Sequence, residues 1–67
     1  MSKTTLERLI YMSNQIAANL METDDPAMAT AAHIRRYWDP KMIEMILAAP
    51  RDGLTPTAAT AIAQLVA

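Results

Sequence analysis

Apolar residues recur along this chain with the spacing of an α-helix, and no segment alternates as a half-buried strand does. The longest such segment runs from about Thr5 to about Met21. Its apolar stripe consists of Leu6, Leu9, Ile10, Ser13, Ile16, Ala17 and Leu20. Steps of three and four residues predict an amphipathic helix. The order Thr4-Thr5-Leu6-Glu7 has the spacing of a capping box, which favours a helix start here.

Three later segments share one start signal, a capping residue directly followed by proline. The pairs are Asp25-Pro26, Asp39-Pro40 and Thr55-Pro56. The cap oxygen accepts a free backbone N–H, and proline at the first helical position loses no hydrogen bond. Because the residue before a proline avoids the helical conformation, each preceding segment must end there. We therefore expect three further helices, over about 26–38, 40–49 and 56–66.

Each of these helices has a predicted inward face. We assign Ala27, Ala31, Ile34 and Trp38 to the second helix, Met42, Ile43, Ile46 and Leu47 to the third, and Ala59, Ile62, Ala63 and Val66 to the fourth. Pro50 ends the third helix, and the only glycine, Gly53, suits a turn that needs a positive φ. The pattern predicts an all-α fold, a compact bundle of four short helices forming a single domain over residues 1–67.

The small size of the chain indicates that it works in association with other chains. Its 67 residues bury a small core, so stability is marginal without a disulfide, a metal or a partner. The chain has no cysteine and one histidine, which excludes a disulfide and makes a structural zinc site implausible. We expect either a subunit of a larger complex or an obligate oligomer.

Charge and hydropathy narrow the possible partners. The formal net charge is -1, with 6 Lys and Arg against 7 Asp and Glu. Nucleic-acid binding needs a clustered positive excess, so we expect no nucleic-acid partner, and the helix-turn-helix alternative suggested by Arg35 and Arg36 is disfavoured.

No apolar run approaches the length of a membrane span, and the first residues do not resemble a signal peptide. We expect a cytoplasmic protein.

The chemistry that could bind a partner is concentrated between His33 and Pro40. This segment holds the only histidine, the only tryptophan, one of two tyrosines and two arginines. Helical geometry places His33, Arg36 and Tyr37 on one face, away from the stripe that contains Trp38. Arg, Tyr and Trp dominate binding hot spots because they combine contact area with directional polar groups. We predict a partner interface made of His33, Arg35, Arg36, Tyr37, Trp38 and Asp39.

Less specific explanations remain open for several of these residues. Trp38 can be a core residue between the second and third helices, since an aromatic side chain buries a large area. Arg35 can form a local ion pair with Asp39, four residues later. His33 can be a hydrogen-bonding residue on the surface. The methionines spread over three helices can form an adaptable contact patch or fill gaps in the core.

The sequence offers no combination of residues for catalysis. Ser13 falls within the apolar stripe of the first helix, without the glycines of a nucleophile elbow. The carboxylates mostly fall at helix starts and turns, where capping explains them. Phosphate-binding glycine loops and metal-ligand spacings are also missing. We expect no catalytic, cofactor-binding or metal-binding residues in this chain.

The chain resembles the delta subunits of cytoplasmic NAD-dependent formate dehydrogenases that contain molybdenum or tungsten. Two segments carry most of the resemblance. Leu9-Ile10-Tyr11-Met12-Ser13-Asn14-Gln15-Ile16 is similar to the family's Leu-Ile-x-Met-Ala-Asn-x-Ile, and residues 33–42 follow its His-[Ile/Leu]-Arg-Arg-[Phe/Tyr]-Trp-Asp-Pro-[Arg/Lys]-Met. The segment Gly53-Leu54-Thr55-Pro56 also matches the family's Gly-Leu-x-Pro.

This resemblance implies an accessory role. The catalytic alpha subunit of such enzymes holds the metal–pterin cofactor and iron–sulfur clusters, and beta and gamma subunits pass electrons to NAD. A delta subunit is implied to bind none of these itself and to support assembly or stability of the complex. The residues expected at the alpha subunit are the six of the predicted interface. The alternative is a free-standing helical homo-oligomer that acts as an adaptor or regulator.

Overall fold

The computed structural model describes residues 5–66, which form four helices and no strand. The helices are α1 (Thr5–Asn19), α2 (Pro26–Tyr37), α3 (Pro40–Ala48) and α4 (Pro56–Gln64). The predicted all-α fold is confirmed, with α1 and α4 each ending two residues earlier than expected. The capping box at Thr4 lies outside the described residues. The Cα radius of gyration is 11.0 Å, close to the value of about 11 Å that size scaling gives for a folded chain of this length.

The three predicted helix starts are confirmed as side-chain caps. The carboxylate of Asp25 accepts from Met28 N at 3.1 Å, and that of Asp39 accepts from Met42 N at 2.8 Å. The hydroxyl of Thr55 accepts from Ala58 N at 3.3 Å. A cap of this kind stabilises a helix by about 1 kcal/mol. The positions of the helix starts are thus fixed by local chemistry.

Helices α2 and α4 lie side by side and run in the same direction. Their first residues line one shallow cleft, which Pro26 and Ala27 share with Pro56 and Thr57. At the opposite end, the Arg35 guanidinium donates to the main-chain carbonyl of Gln64. The two helices make the most extensive contact in the molecule. Three fully buried alanines allow this close approach: Ala31, Ala58 and Ala61.

The core takes at least one large apolar side chain from each helix. Its buried members are Leu9, Ile34, Trp38, Ile46 and Ile62. Two buried polar side chains lie beside them. Ser13 donates to Leu9 O at 2.8 Å, whereas the Thr30 hydroxyl has no hydrogen-bond partner among the described residues. Ser13 therefore lies within the stripe of α1, as the sequence predicts.

The predicted inward face of α4 was partly wrong. Ile62 is buried, but Ala63 is exposed and Val66 is 66% exposed. The residues buried beside Ile62 are Ala58 and Ala61. Since alanines occupy most faces of this helix, its apolar pattern does not distinguish the side that contacts α2. Val66 is exposed because the helix ends at Gln64, before another turn could carry it back to the core.

Two side chains hold the α3–α4 loop, and the sequence pattern did not single them out. The Asn14 amide donates to Gly53 O at 2.8 Å and accepts from Thr55 N at 2.9 Å. The Arg51 guanidinium donates to Ala49 O at 2.7 Å, at the end of α3. Gly53 has the positive φ of 85° that was expected of the turn. The loop is thereby fixed against the middle of α1.

None of the helices in the described residues is both long enough and apolar enough to cross a membrane.

Candidate partner-binding face

The six predicted interface residues lie at the corner between α2 and α3. His33, Arg35, Arg36 and Tyr37 occupy the last turns of α2, Trp38 is its C-cap, and Asp39 is the N-cap of α3. The side chains diverge from this corner in four directions. The structure brings His33, Arg36 and Tyr37 together on the surface and directs the others to the core, to α4 or to the start of α3.

The exposed part of the corner is an ordered stack centred on Tyr37, here called the Tyr37 stack (His33, Arg36 and Tyr37). The rings of His33 and Tyr37 are 4.7 Å apart between centroids and tilted by 44°. The guanidinium carbon of Arg36 lies 5.7 Å from the Tyr37 ring centroid. A cation–π contact at an exposed site contributes about 0.5–1 kcal/mol. Since these side chains already restrain one another, a partner would lose less entropy in ordering them.

The side chains of Arg35 and Asp39 both form contacts that stabilise the fold. The Arg35 guanidinium binds the carbonyl at the end of α4, and the Asp39 carboxylate caps α3. The local Arg35–Asp39 ion pair considered from the sequence is therefore replaced by two separate contacts. The spacing along α2 could not reveal this, because the acceptor of Arg35 is 29 residues away.

Trp38 is a core residue. Its side chain is 7% exposed and packs with Ile34 and Ile46. The explanation of Trp38 as a plug between α2 and α3 is confirmed. Trp38 is also one of the residues that line a surface groove.

This surface depression, here called the α1–α2 groove, has a volume of about 380 Å³. It is lined by Tyr11, Met12, Gln15, Ile16, Asn19, His33, Tyr37, Trp38 and Met42. Large apolar side chains are exposed along it: Tyr11 is 53% exposed, Met12 38% and Tyr37 66%. The groove and the Tyr37 stack share His33 and Tyr37, so they form one continuous surface.

Charged side chains of both signs border the groove. None of its lining residues carries a carboxylate, and Arg36 lies against the Tyr37 ring at its edge. The Asp39 carboxylate accepts from the backbone N of Met42, a lining residue, at 2.8 Å. Glu7 lines an adjoining cleft, which shares the lining residue Tyr11 with the groove. Groups of both charge signs therefore lie next to residues that line the groove.

Comparison with known families decides where this chain belongs. Residues 8–62 match the family model described as NADH-dependent formate dehydrogenase delta subunit FdsD. The chain belongs to this delta-subunit family. The match includes the whole α1–α2 groove and the Tyr37 stack, so both features lie in the part of the chain that resembles the family. Neither the curated proteins nor the solved structures include a significant match.

Sequence reasoning missed the part that α1 plays in lining this groove. Tyr11 and Gln15 were not singled out, and Met12 was considered only with the other methionines. A usable signal existed, since positions 11, 12, 15 and 19 form a second face of α1 beside its buried stripe. That this face borders Tyr37 depends on how α1 packs against α2, which periodicity does not specify.

The described residues contain no group of three or more His, Asp or Glu side chains placed to hold a metal ion. The ionisable side chains lining the groove are His33, Tyr11 and Tyr37.

Proposed function

We propose that this chain is a non-catalytic accessory subunit of NAD-dependent formate dehydrogenase that docks on the catalytic alpha subunit. The observation that carries the proposal is the Tyr37 stack, an exposed and ordered group of hot-spot residues in a member of the delta-subunit family. In this proposal Arg36 and Tyr37 make the main contacts and His33 supports the Tyr37 ring. Trp38, Arg35 and Asp39 contribute by holding the corner in shape.

The mechanism is stabilisation by binding. A ligand that binds only the folded state stabilises it according to concentration, by about 2.7 kcal/mol at a hundred times its dissociation constant. That is a large fraction of the roughly 3–10 kcal/mol expected for so small a domain. Docking would stabilise the alpha subunit by the same linkage, which supports assembly or stability of the complex.

The proposal assigns the redox chemistry to the other subunits. The molybdenum or tungsten pterin and the iron–sulfur clusters would be held by the alpha subunit, and this chain would bind no cofactor of its own. It would act in the cytoplasm, where the rest of the complex is proposed to work. The position of Ser13 supports a structural role for this residue, because its hydroxyl is fully buried and donates a hydrogen bond to the α1 backbone.

The decisive experiment is co-purification of the alpha subunit with the tagged full-length chain. We expect recovery to fall by about 10-fold or more when Arg36→Ala and Tyr37→Ala are combined, since hot-spot residues each contribute more than about 1 kcal/mol. A matched control combines Glu44→Ala with Met28→Ala, two exposed side chains outside the groove. Unchanged recovery with the Arg36/Tyr37 variant would falsify the proposed contact.

A homo-oligomeric adaptor is the second candidate. The exposed apolar side chains of Tyr11, Met12 and Tyr37 favour it, because two copies could cover these side chains by pairing. Light scattering distinguishes the two functions when it is applied to two samples, the isolated chain and the chain mixed with the alpha subunit. A stable oligomer that does not exchange for alpha subunit supports the adaptor.

A further inference from the structure

Carboxylates and cations are separated along this chain. Residues 14–32 and 53–66 contain three carboxylates, Glu22, Asp24 and Asp25, and no lysine, arginine or histidine. All three carboxylates are exposed and lie where α1 ends and α2 begins. The start of α4 borders the same part of the bundle, because its first residues share a cleft with the first residues of α2. This region, marked by Glu22, Asp24 and Asp25, is here called the acidic end.

The acidic end contains an apolar cleft between α1 and α4, here called the α1–α4 cleft. Its volume is about 370 Å³, and its apolar lining comes from Ala17, Ala18, Met21 and Pro56. Glu22 directly follows Met21 in the sequence. Asp25 lines the neighbouring cleft between α2 and α4, which shares two lining residues, Pro56 and Thr57, with this one. The carboxylates therefore border an apolar depression.

The acidic end stays negative when the neighbouring positive groups are counted. Each helix start contributes about half a positive charge, so those of α2 and α4 together offset about one of the three carboxylates. The cation that lies nearest in sequence to the start of α4 is Arg51. Its guanidinium donates to Ala49 O at the end of α3, and it is followed by Asp52. The remaining negative charge is complementary to a basic partner segment.

A second copy of this chain is a poor source of such a segment. In a twofold pair that buried the acidic end, carboxylates would face carboxylates, which disfavours that pairing. A head-to-tail pair would need a basic surface elsewhere on the chain. Every lysine and arginine of the chain has a carboxylate within four residues in the sequence, whereas Glu22, Asp24 and Asp25 have no cation within that distance. The charge distribution therefore favours a different chain as the partner.

We infer that the α1–α4 cleft receives an apolar side chain from a segment of the catalytic complex that carries lysine or arginine beside it. This inference rests on the proposed function and adds a second contact to that of the Tyr37 stack. The apolar side chain packs between Met21 and Pro56, and the flanking cations lie near Glu22 and Asp24. Met21 suits this position because it is 54% exposed and its flexible thioether adapts to the shape that enters.

The two contacts can be tested one at a time because they lie at opposite ends of α2. This helix has 12 residues, so at 1.5 Å per residue it separates them by about 18 Å. Substitutions that far apart are expected to act independently. All variants are made in the full-length chain, and their binding to the catalytic complex purified without its delta subunit is measured.

The charge of the partner is tested by combining Glu22→Gln with Asp24→Asn. Asp25 is retained because its carboxylate caps α2. We expect the double variant to raise the dissociation constant by about 3-fold or more at low salt, and high salt should reduce this difference because the removed charges are exposed. The matched control is Glu44→Gln, which removes an exposed carboxylate of α3 outside the cleft and should leave binding unchanged.

The apolar part of the inference is tested at Met21, with Met28 as the matched control. The two methionines are similarly exposed, at 54% and 59%, but only Met21 lines the cleft. We expect Met21→Gln to weaken binding by about 5-fold or more and Met28→Gln to leave it unchanged. Circular dichroism of each variant checks that the helices are retained.

The outcomes separate this inference from the proposed function. If the unmodified chain does not bind the catalytic complex, the proposed function fails, and the inference fails with it. If the unmodified chain binds, but the Glu22→Gln/Asp24→Asn and Met21→Gln variants bind equally well, the inference alone is overturned. Tighter binding of the Glu22→Gln/Asp24→Asn variant also overturns it, because the partner segment is then acidic. Self-association of the isolated chain that this variant abolishes overturns it as well, because a second copy then covers the acidic end.

Discussion

The guanidinium of Arg35, in the last turn of α2, donates a hydrogen bond to the main-chain carbonyl of Gln64, the final residue of α4. Because α2 and α4 run parallel, their C-terminal ends lie together, and each end carries a partial negative charge. Arg35 places a cation between them. The next residue, Arg36, instead contacts the exposed Tyr37 ring.

Because Arg35 contacts the end of α4 and Arg36 contacts a surface ring, we expect their replacement to change stability by different amounts. We expect Arg35→Ala to lower the free energy of unfolding by about 1–2 kcal/mol, because it removes a charge-assisted hydrogen bond and the cation at two helix ends. Arg36→Ala should lower it by no more than about 0.5–1 kcal/mol, the contribution of an exposed cation–π contact. Urea denaturation followed by circular dichroism measures both. Equal stabilities of the two variants would show that the Arg35–Gln64 contact contributes little.

The Asn14 amide should contribute to stability through the loop that it holds. Asn14→Ala removes the partners of both Gly53 O and Thr55 N, so we expect the free energy of unfolding to fall by about 1–3 kcal/mol. The control is Gln15→Ala, at an exposed position of the same helix, with an expected change within about 0.5 kcal/mol. Hydrogen exchange gives a local readout, since the Thr55 amide should exchange faster only in the Asn14 variant.

Trp38 provides an intrinsic probe of the core, as it is the only tryptophan of the chain. We expect its fluorescence to be blue-shifted and weakly quenched by acrylamide in the folded protein, and strongly quenched in urea, because the side chain is buried. Trp38→Ala should cost about 3–5 kcal/mol, enough to unfold much of a small domain. Strong quenching without denaturant would contradict the buried position.

The helix starts were predictable from sequence because each depends on residues close together in the chain. A cap at Asp39 and a proline at Pro40 act within one turn of α3, so their effect can be read locally. Gly53 is a similar case, since one residue type satisfies the positive φ of the turn.

Contacts between distant residues were not predictable in the same way. Asn14 and Thr55 are 41 positions apart, and nothing in the spacing of either helix connects them. The α1–α2 groove depends on the packing of α1 against α2. The inward side of α4 was partly wrong for a related reason, because alanine fits a helix contact and a solvent-exposed side almost equally well.

The buried hydroxyl of Thr30 marks a position where a substitution should stabilise the fold. Its oxygen is enclosed without a hydrogen-bond partner among residues 5–66, which weakens the fold, and valine would fill nearly the same shape without that penalty. Thr30→Val should raise the midpoint of thermal melting, by several degrees if the gain is about 1 kcal/mol. Thr30 does not line the α1–α2 groove, so the variant could be produced and studied alone with the groove intact.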